Sequence, residues 1–321
     1  MTTTPYASLT PDLILDALEA AGYEPSGGLT ALNSYENRVY QAQMNDGSFS
    51  VVKFYRPGRW TDAQIREEHD FMRELVAAEL PVVAPDYHAH GAMHVHLGFR
   101  FAVFPRQGGH TPDIEREDDL AVIARTLARL HAIGATRPFA HREIISLRRL
   151  GTASRDFVLQ GNWLPLELET AYATLTAQLL ERMRDPADEP AIRIHGDCHL
   201  GNMLWRNDTL HLVDFDDCAM GPPIQDIWML LSGEREDRLV QLGTIADAYD
   251  MFHPFPAESL LLVETLRTLR ILHHSAWIAR RWDDPAFPLA FPTFDSARYW
   301  SAHVLELREQ LAALDEPPLI V

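Results

Sequence analysis

The stretch His195-Gly196-Asp197-Cys198-His199-Leu200-Gly201-Asn202, followed by Val213-Asp214-Phe215-Asp216-Asp217, decides how this chain is read. Ile192-Arg193-Ile194 is a short β-type run that ends at a glycine, so residues 195–202 are predicted to form a loop leaving a strand. Met203-Leu204-Trp205, a turn at Asn207-Asp208, and Leu210-His211-Leu212-Val213 then read as a hairpin. Its return strand delivers Asp214 beside Asn202. Phosphoryl transfer from ATP asks little covalent chemistry of a protein. A divalent cation neutralises the phosphates, and a carboxylate orients the attacking hydroxyl and accepts its proton. Asp197 suits the second task, and Asn202 with Asp214 suits the first. The expected catalytic residues are thus Asp197 and Asp214, and the expected metal ligands Asn202 and Asp214.

An Asp followed five residues later by an Asn, with an Asp-Phe on the next strand, is also the spacing of the protein-kinase catalytic loop and metal-binding aspartate. The form here is not the Ser/Thr protein-kinase one: His199 stands where those enzymes usually carry Lys, and Asp216 where their Gly follows Phe. The pattern HGDxHxxN resembles the aminoglycoside phosphotransferase and choline kinase superfamily. Within it, Asn33-Ser34-Tyr35-Glu36-Asn37-Arg38-Val39, the 195–202 loop, and Val213 to Asp217 with Gln225-Asp226-Ile227-Trp228-Met229-Leu230 resemble the bacterial stress-response kinases, from about residue 8 to the C-terminal helices. The resemblance implies an α+β, two-lobed protein-kinase-like fold, with an N-lobe of antiparallel sheet plus helix and a mostly helical C-lobe. It implies Mg²⁺ and ATP as cofactor and co-substrate, and a Ser/Thr protein acceptor in stress response. It also implies that Asp226 holds the catalytic loop from beneath; a helix-capping or solvent-facing Asp is the alternative.

Other readings of the same residues stand beside this one. Asp, Asn and Gly are ordinary turn formers, and it is their joint spacing that points to catalysis. His195, Cys198, His199, His211 and Cys218 could instead hold zinc, although no Cys-x-x-Cys pair is present. The same superfamily pattern also serves small-molecule hydroxyl kinases acting on homoserine, choline or aminoglycosides, for which an acidic cleft would suit a cationic acceptor. A nucleotide-binding regulator without catalysis is a third class.

Working outward, Thr10, Pro11 and Gly22 bracket a predicted helix. Strands follow at 29–32, 38–44 and 49–55, with an Asn45-Asp46-Gly47 turn. Alternation puts Phe49, Val51, Lys53 and Tyr55 on one face, so an ammonium sits among apolar neighbours and needs an anion. Thr61 and Gln64 open the next helix as a capping box; Ile65, Met72 and Leu75 mark its buried stripe, and Glu68 lies on that stripe while Glu67 does not. Lys53 with Glu68 is therefore the expected phosphate-positioning pair. Ser34, in the turn after the first strand, is assigned to ATP contact by the resemblance, and a plain polar turn is the alternative. His88, His90, His94 and His96 read as an exposed hairpin without a ligand. The apolar strand ending at Pro105 leads into Gln107-Gly108-Gly109, a hinge where adenine would meet backbone near Phe104 to Arg106. The expected division is residues 1–105 and 106–321. Only twelve positions separate Asp214 from Asp226, too few for a long phosphorylatable activation segment.

The 321 residues are 46% hydrophobic and 23% charged, the balance of a soluble globular protein with a sizeable core. No apolar run approaches a membrane span, and the first ten residues lack the layout of a secretory signal, so the cytoplasm is expected; a monomer is expected as well, although no pattern in the chain encodes the oligomeric state. With a formal charge of −18, nucleic acid and anionic lipid are poor partners. Local positive charge for ATP has to come from Mg²⁺, Lys53 and backbone N–H groups.

Overall fold

The computed structural model describes residues 4–89 and 91–321; residues 1–3 and His90, one of the four histidines above, lie outside the described residues. In chain order the elements are α1 (Pro11–Ala20), β1 (Pro25–Ala31), β2 (Arg38–Met44), β3 (Phe49–Phe54), α2 (Asp62–Ala77), β4 (His94–His96) and β5 (Phe99–Pro105). There follow α3 (Glu117–Gly134), α4 (Ala153–Gln160), α5 (Leu166–Arg182), β6 (Ile192–Ile194), β7 (Met203–Arg206), β8 (Thr209–Leu212) and β9 (Ala219–Gly221). The chain ends with α6 (Ile224–Ile227), α7 (Arg235–Tyr249), α8 (Val263–Ala279), α9 (Ala286–Ala290) and α10 (Ala297–Ala313). Sheet and helices in these proportions make the fold α+β, as expected.

The contacts divide the chain into two units, residues 1–112 with 201–216, and residues 113–200 with 217–321. This differs from a single cut at residue 105, because the β7–β8 hairpin belongs with the first unit. Backbone bonds tie it there: Val83 N donates to Leu212 O at 3.0 Å, Leu212 N to Pro81 O at 2.9 Å, and His110 and Trp205 exchange bonds of 3.1 and 2.7 Å. Gly109 is part of that attachment and not a loose hinge, since a Cβ there would lie 2.9 Å from the Leu204 Cβ and 3.0 Å from the Trp205 carbonyl.

In the first unit, β1-β2-β3-β5-β4 form one antiparallel sheet. Val52 and Phe54 face one way and pack with Ala42, Phe101 and Val103 against Ile14, Ala17 and Leu18 of α1. A ten-residue helix is marginal by itself. Docking those three side chains, with the Thr10 cap on Leu13 N at 3.3 Å, is what stabilises it. Lys53 and Tyr55 face the other way, toward α2, where Tyr55, Ile65 and Ala102 make a smaller core. The capping box predicted at Thr61 and Gln64 is present.

The second unit is mostly helical around Tyr172, Leu179, Leu269, Leu272, Phe287, Phe294, Trp300 and Leu307, all buried. The stripe Leu120, Ile123, Leu127 and Leu130 is the buried face of α3, as its spacing requires. β6 pairs antiparallel with β9, a pairing too short to leave a sequence pattern. No helix among the described residues is long and apolar enough to cross a membrane.

Candidate active site

In the first unit the site is built around one ammonium. Lys53 Nζ lies 3.0 Å from Asp214 Oδ1, 3.1 Å from Asp216 Oδ1 and 3.4 Å from Glu68 Oε1. Lys53 is 6% exposed and Glu68 fully buried. Burial alone would lower the lysine pKa, but the charges of Asp214, Asp216 and Glu68 outweigh it and hold the group protonated, well above its ordinary range. The strand and helix periodicities thus paired the right residues. They missed Asp216, which is buried in a 3-10 turn and also bound by Arg59. Arg59 in turn lies 3.6 Å from Glu36 of the turn after β1. The signal available was only the acid density of Asp214-Phe215-Asp216-Asp217 opposite a buried cation.

Asp214 adopts φ +59°, a left-handed conformation uncommon outside glycine. Such a backbone costs on the order of 1–3 kcal/mol and clusters at functional positions. The conformation follows directly on a backbone bond from Val213 N to Asn202 O at 3.1 Å, so the hairpin registers the two expected metal ligands on neighbouring chain segments. The Asp214 side chain stays 53% exposed, with carboxylate oxygen accessible to a cation. Among the other expected residues of this unit, Ser34 Oγ donates to Asn37 O at 3.0 Å, closing the turn. Phe104 packs at the edge of the Tyr55 and Ile65 core, and the exposed Arg106 places its guanidinium 5.6 Å over the Phe49 ring. Among the described residues, Ser34, Phe104 and Arg106 form neither a hydrogen bond nor an ion pair with Lys53.

His94 to His96 forms β4 and His88 bridges Gly91, while the His88 ring accepts or donates one hydrogen bond with Tyr23 at 2.9 Å. No group of three or more His, Cys, Asp or Glu among the described residues is arranged to hold a metal ion, which leaves the zinc alternative without a ligand set.

In the second unit the loop that opens at His195 is held by Asp226, itself fully buried. Its two oxygens accept from Gly196 N and His195 N, each at 2.8 Å, and His131 Nε2 lies 3.0 Å from Oδ2. Tyr249 OH fixes the other ring nitrogen of His131 at 2.8 Å, and Gln225 Nε2 donates to Gly196 O at 2.9 Å. Gly196 itself, at φ +87°, leaves no space for a side chain: a Cβ would lie 2.2 Å from Asp217 O. On this rigid loop Asp197 is bound by Arg270 and lies 3.5 Å from His199 Nε2. Burial alone would raise its pKa, but the hydrogen bond from His199 and the charge of Arg270 outweigh burial and hold the carboxyl well below the usual range. It is a carboxylate at neutral pH. Arg270 lies 73 positions along the chain from Asp197, and no motif marked it.

An antiparallel sheet with a buried Lys–Glu pair and a metal-type aspartate, together with an HGD loop on a helical unit, defines the class of kinase-like phosphotransferases. Residues 28–260 match the phosphotransferase enzyme family, and this chain belongs to that family. It is 42% identical over 316 residues to Stress response kinase A of Escherichia coli K12, covering 98% of this chain and 96% of that one. The same identity and coverage hold for the serine/threonine protein kinase RdoA of Salmonella typhimurium LT2. Among solved structures, amicoumacin kinase hAmiN in complex with AMP-PNP, Ca²⁺ and Ami has a TM-score of 0.73 at 17% identity, covering 96% of this chain and 94% of that one. Choline kinase LicA from Streptococcus pneumoniae has a TM-score of 0.64 at 15% identity, covering 95% and 100%. These likenesses carry the fold. The resemblance read from the sequence is borne out, and the chain is a kinase that uses ATP as its phosphoryl donor.

Proposed function

We propose that this kinase transfers the ATP γ-phosphoryl group, with Mg²⁺, to Ser/Thr hydroxyls of a protein in a bacterial stress response. The observation that carries it is the buried Lys53 held by Glu68 and Asp214, together with relatives named as stress-response and serine/threonine kinases. Asn202 and Asp214 offer hard oxygen donors of the kind Mg²⁺ takes alongside phosphate and water, and the exposed Asp214 oxygen fits that use. Mg²⁺ bound there would neutralise the phosphates. Lys53, positioned by Glu68, would hold phosphate oxygens in line. Ser34 and its neighbouring amides would cover them, and backbone near Phe104 to Arg106 would receive adenine. Asp197 orients the acceptor hydroxyl and takes its proton as the oxygen attacks the γ-phosphorus and the bond to the bridging oxygen of ADP breaks. Cys198 and Cys218 are buried free thiols, compatible with a reducing cytoplasm.

The test is transfer from γ-labelled ATP. Label on Ser/Thr of protein supports the reading, and label found solely on a small alcohol such as choline, homoserine or an aminoglycoside overturns it in favour of the small-molecule class.

A further inference from the structure

Asp197 does not stand alone in the second unit. Arg267, Arg270, His274, Trp277 and Arg281 recur at helical spacing through α8 and just past it, within about 80° of its circumference. Each has a named neighbour. The Arg267 guanidinium lies 5.5 Å over the Trp228 ring, the His274 ring stacks on Trp277 with centroids 5.7 Å apart, and Arg281 lies 5.3 Å over Trp277. Arg270 binds Asp197 and is 43% exposed. Acids near this face are themselves engaged: Glu264 is paired with Arg267 at 3.4 Å and Arg238 at 3.7 Å, Glu306 with His303 at 3.9 Å, and the buried Asp284 donates its backbone N–H to the Arg281 carbonyl at 2.8 Å. A ridge of guanidinium and aromatic groups thus runs up to the catalytic carboxylate in a chain whose formal charge is −18. A surface selecting a cationic alcohol such as choline or an aminoglycoside would carry the opposite sign at this place.

We infer that the acceptor of this kinase is anionic, a Ser/Thr flanked by acidic or phosphorylated residues, and that Arg270 selects it. The inference rests on the protein-acceptor reading above and adds the sign of charge that the acceptor carries. Arg270 has a fork of five N–H donors, suited to gripping a carboxylate or phosphate with two bonds. While it grips Asp197 it competes with the acceptor hydroxyl for the same oxygen. An acidic group beside the acceptor Ser draws the guanidinium to itself and leaves the Asp197 carboxylate to the hydroxyl. Arg270 is then a positioning and specificity residue that acts through Asp197 and the acceptor, and the acceptor's own charge releases the base.

The experiment uses the full chain, γ-labelled ATP, and three peptides that each hold one Ser, flanked by Asp, by Ala or by Lys. Expected is a kcat/KM roughly fivefold to tenfold higher for the Asp-flanked peptide than for the Ala-flanked one, with the Lys-flanked peptide poorest and the spread shrinking as salt rises. Arg270→Glu is expected to reverse the order while the KM for ATP holds, and the loss of the pair with Asp197 is expected to lower the melting temperature without unfolding the chain at assay temperature. Arg270→Lys keeps charge without the fork and is expected to retain part of the preference, seen in KM. Equal kcat/KM for the three peptides, a preference for the Lys-flanked one, or an unchanged order in Arg270→Glu overturns this inference alone. Transfer to no peptide but to a small alcohol overturns the protein-acceptor reading and this inference with it.

Discussion

The two units carry the two halves of the motif in opposite electrostatic settings. In the first, three carboxylates, Glu68, Asp214 and Asp216, surround the single ammonium of Lys53. In the second, the single carboxylate of Asp197 meets Arg270 and His199. The first arrangement has negative charge in excess and accessible oxygen at Asp214, which suits a divalent cation. In the second, the guanidinium of Arg270 offsets the carboxylate of Asp197, so no excess of negative charge gathers there. They are also built differently. Ion pairs hold the first, whereas backbone N–H bonds to a buried Asp226 hold the second. Sequence patterns name Glu68, Asp214 and Asp197, whereas Asp216 and Arg270 come to light only in the structure.

The sharpest break between the two halves is expected from removing their aspartates in turn. Asp197→Ala should lower kcat by about 10³-fold or more while ATP still binds, because the role proposed for Asp197 is toward the acceptor hydroxyl and not the nucleotide. Asp214→Ala should lower activity comparably but also flatten the Mg²⁺ dependence and weaken Mg·ATP binding, read by titration calorimetry. If both variants shift nucleotide affinity equally, the division of labour is wrong.

Next in size is the support of the catalytic loop. Asp226→Ala strips acceptors from His195 N and Gly196 N and leaves buried donors unpaired, which costs on the order of 1–3 kcal/mol for each. A melting temperature lower by roughly 5–15 °C, with kcat reduced even in the folded fraction, is the expected result. Gly196→Ala should be as severe in this second unit, since the added Cβ has no room against Asp217 O. A wild-type melting curve for either variant would contradict the buried clamp.

Acid titration distinguishes the halves more finely. The Asp197 pKa is depressed below its ordinary 3.8, so its stabilising pairing is present above that value and is lost as pH falls through the lower folded value. Between pH 5 and 8 no limb of the kcat profile should come from this carboxyl. Arg270→Ala removes one of the two groups that depress it and should move its protonation upward. An Asp197 carboxyl that titrates above pH 5 in the wild type, followed by NMR, would refute the pairing.

How much of this was legible in the sequence follows from what kind of order each part has. Periodic order was readable: period two on β3 aimed Lys53 inward, the helical stripe chose Glu68 over Glu67, and Asn207-Asp208 marked the β7–β8 turn. Asp226 was readable as a support by resemblance, and its burial and bonds give it that role physically. Asp216 and Arg59 were not, because a 3-10 turn and a loop have no period to betray which way a side chain faces. Arg270 was hidden for another reason: an Arg on an exposed helix face ordinarily reads as a solvated charge, and its partner lies on a distant loop. The grouping of contacts departs from a single cut at residue 105 because isolated bridges, such as that from Val82 to Leu212, leave no trace in composition.

The smallest expected effect tests the hairpin that joins Asn202 to Asp214 in the first unit. Asn207 and Asp208 both take positive φ, 52° and 56°, the geometry of a tight two-residue turn matched to strand twist. Asn tolerates that conformation better than most residues, and Asp at the second position bears a modest strain that glycine would remove. Asp208→Gly should therefore raise stability by about 0.5–1 kcal/mol, net of the greater flexibility that glycine gives the unfolded chain. The gain is expected as about 1–4 °C in melting temperature with Mg²⁺ dependence unchanged, because the register from Asn202 to Val213 is set by the strands on either side of the turn. A stabilised variant whose Mg²⁺ dependence nevertheless shifts would show that the turn, and not the strand register, positions the two proposed metal ligands.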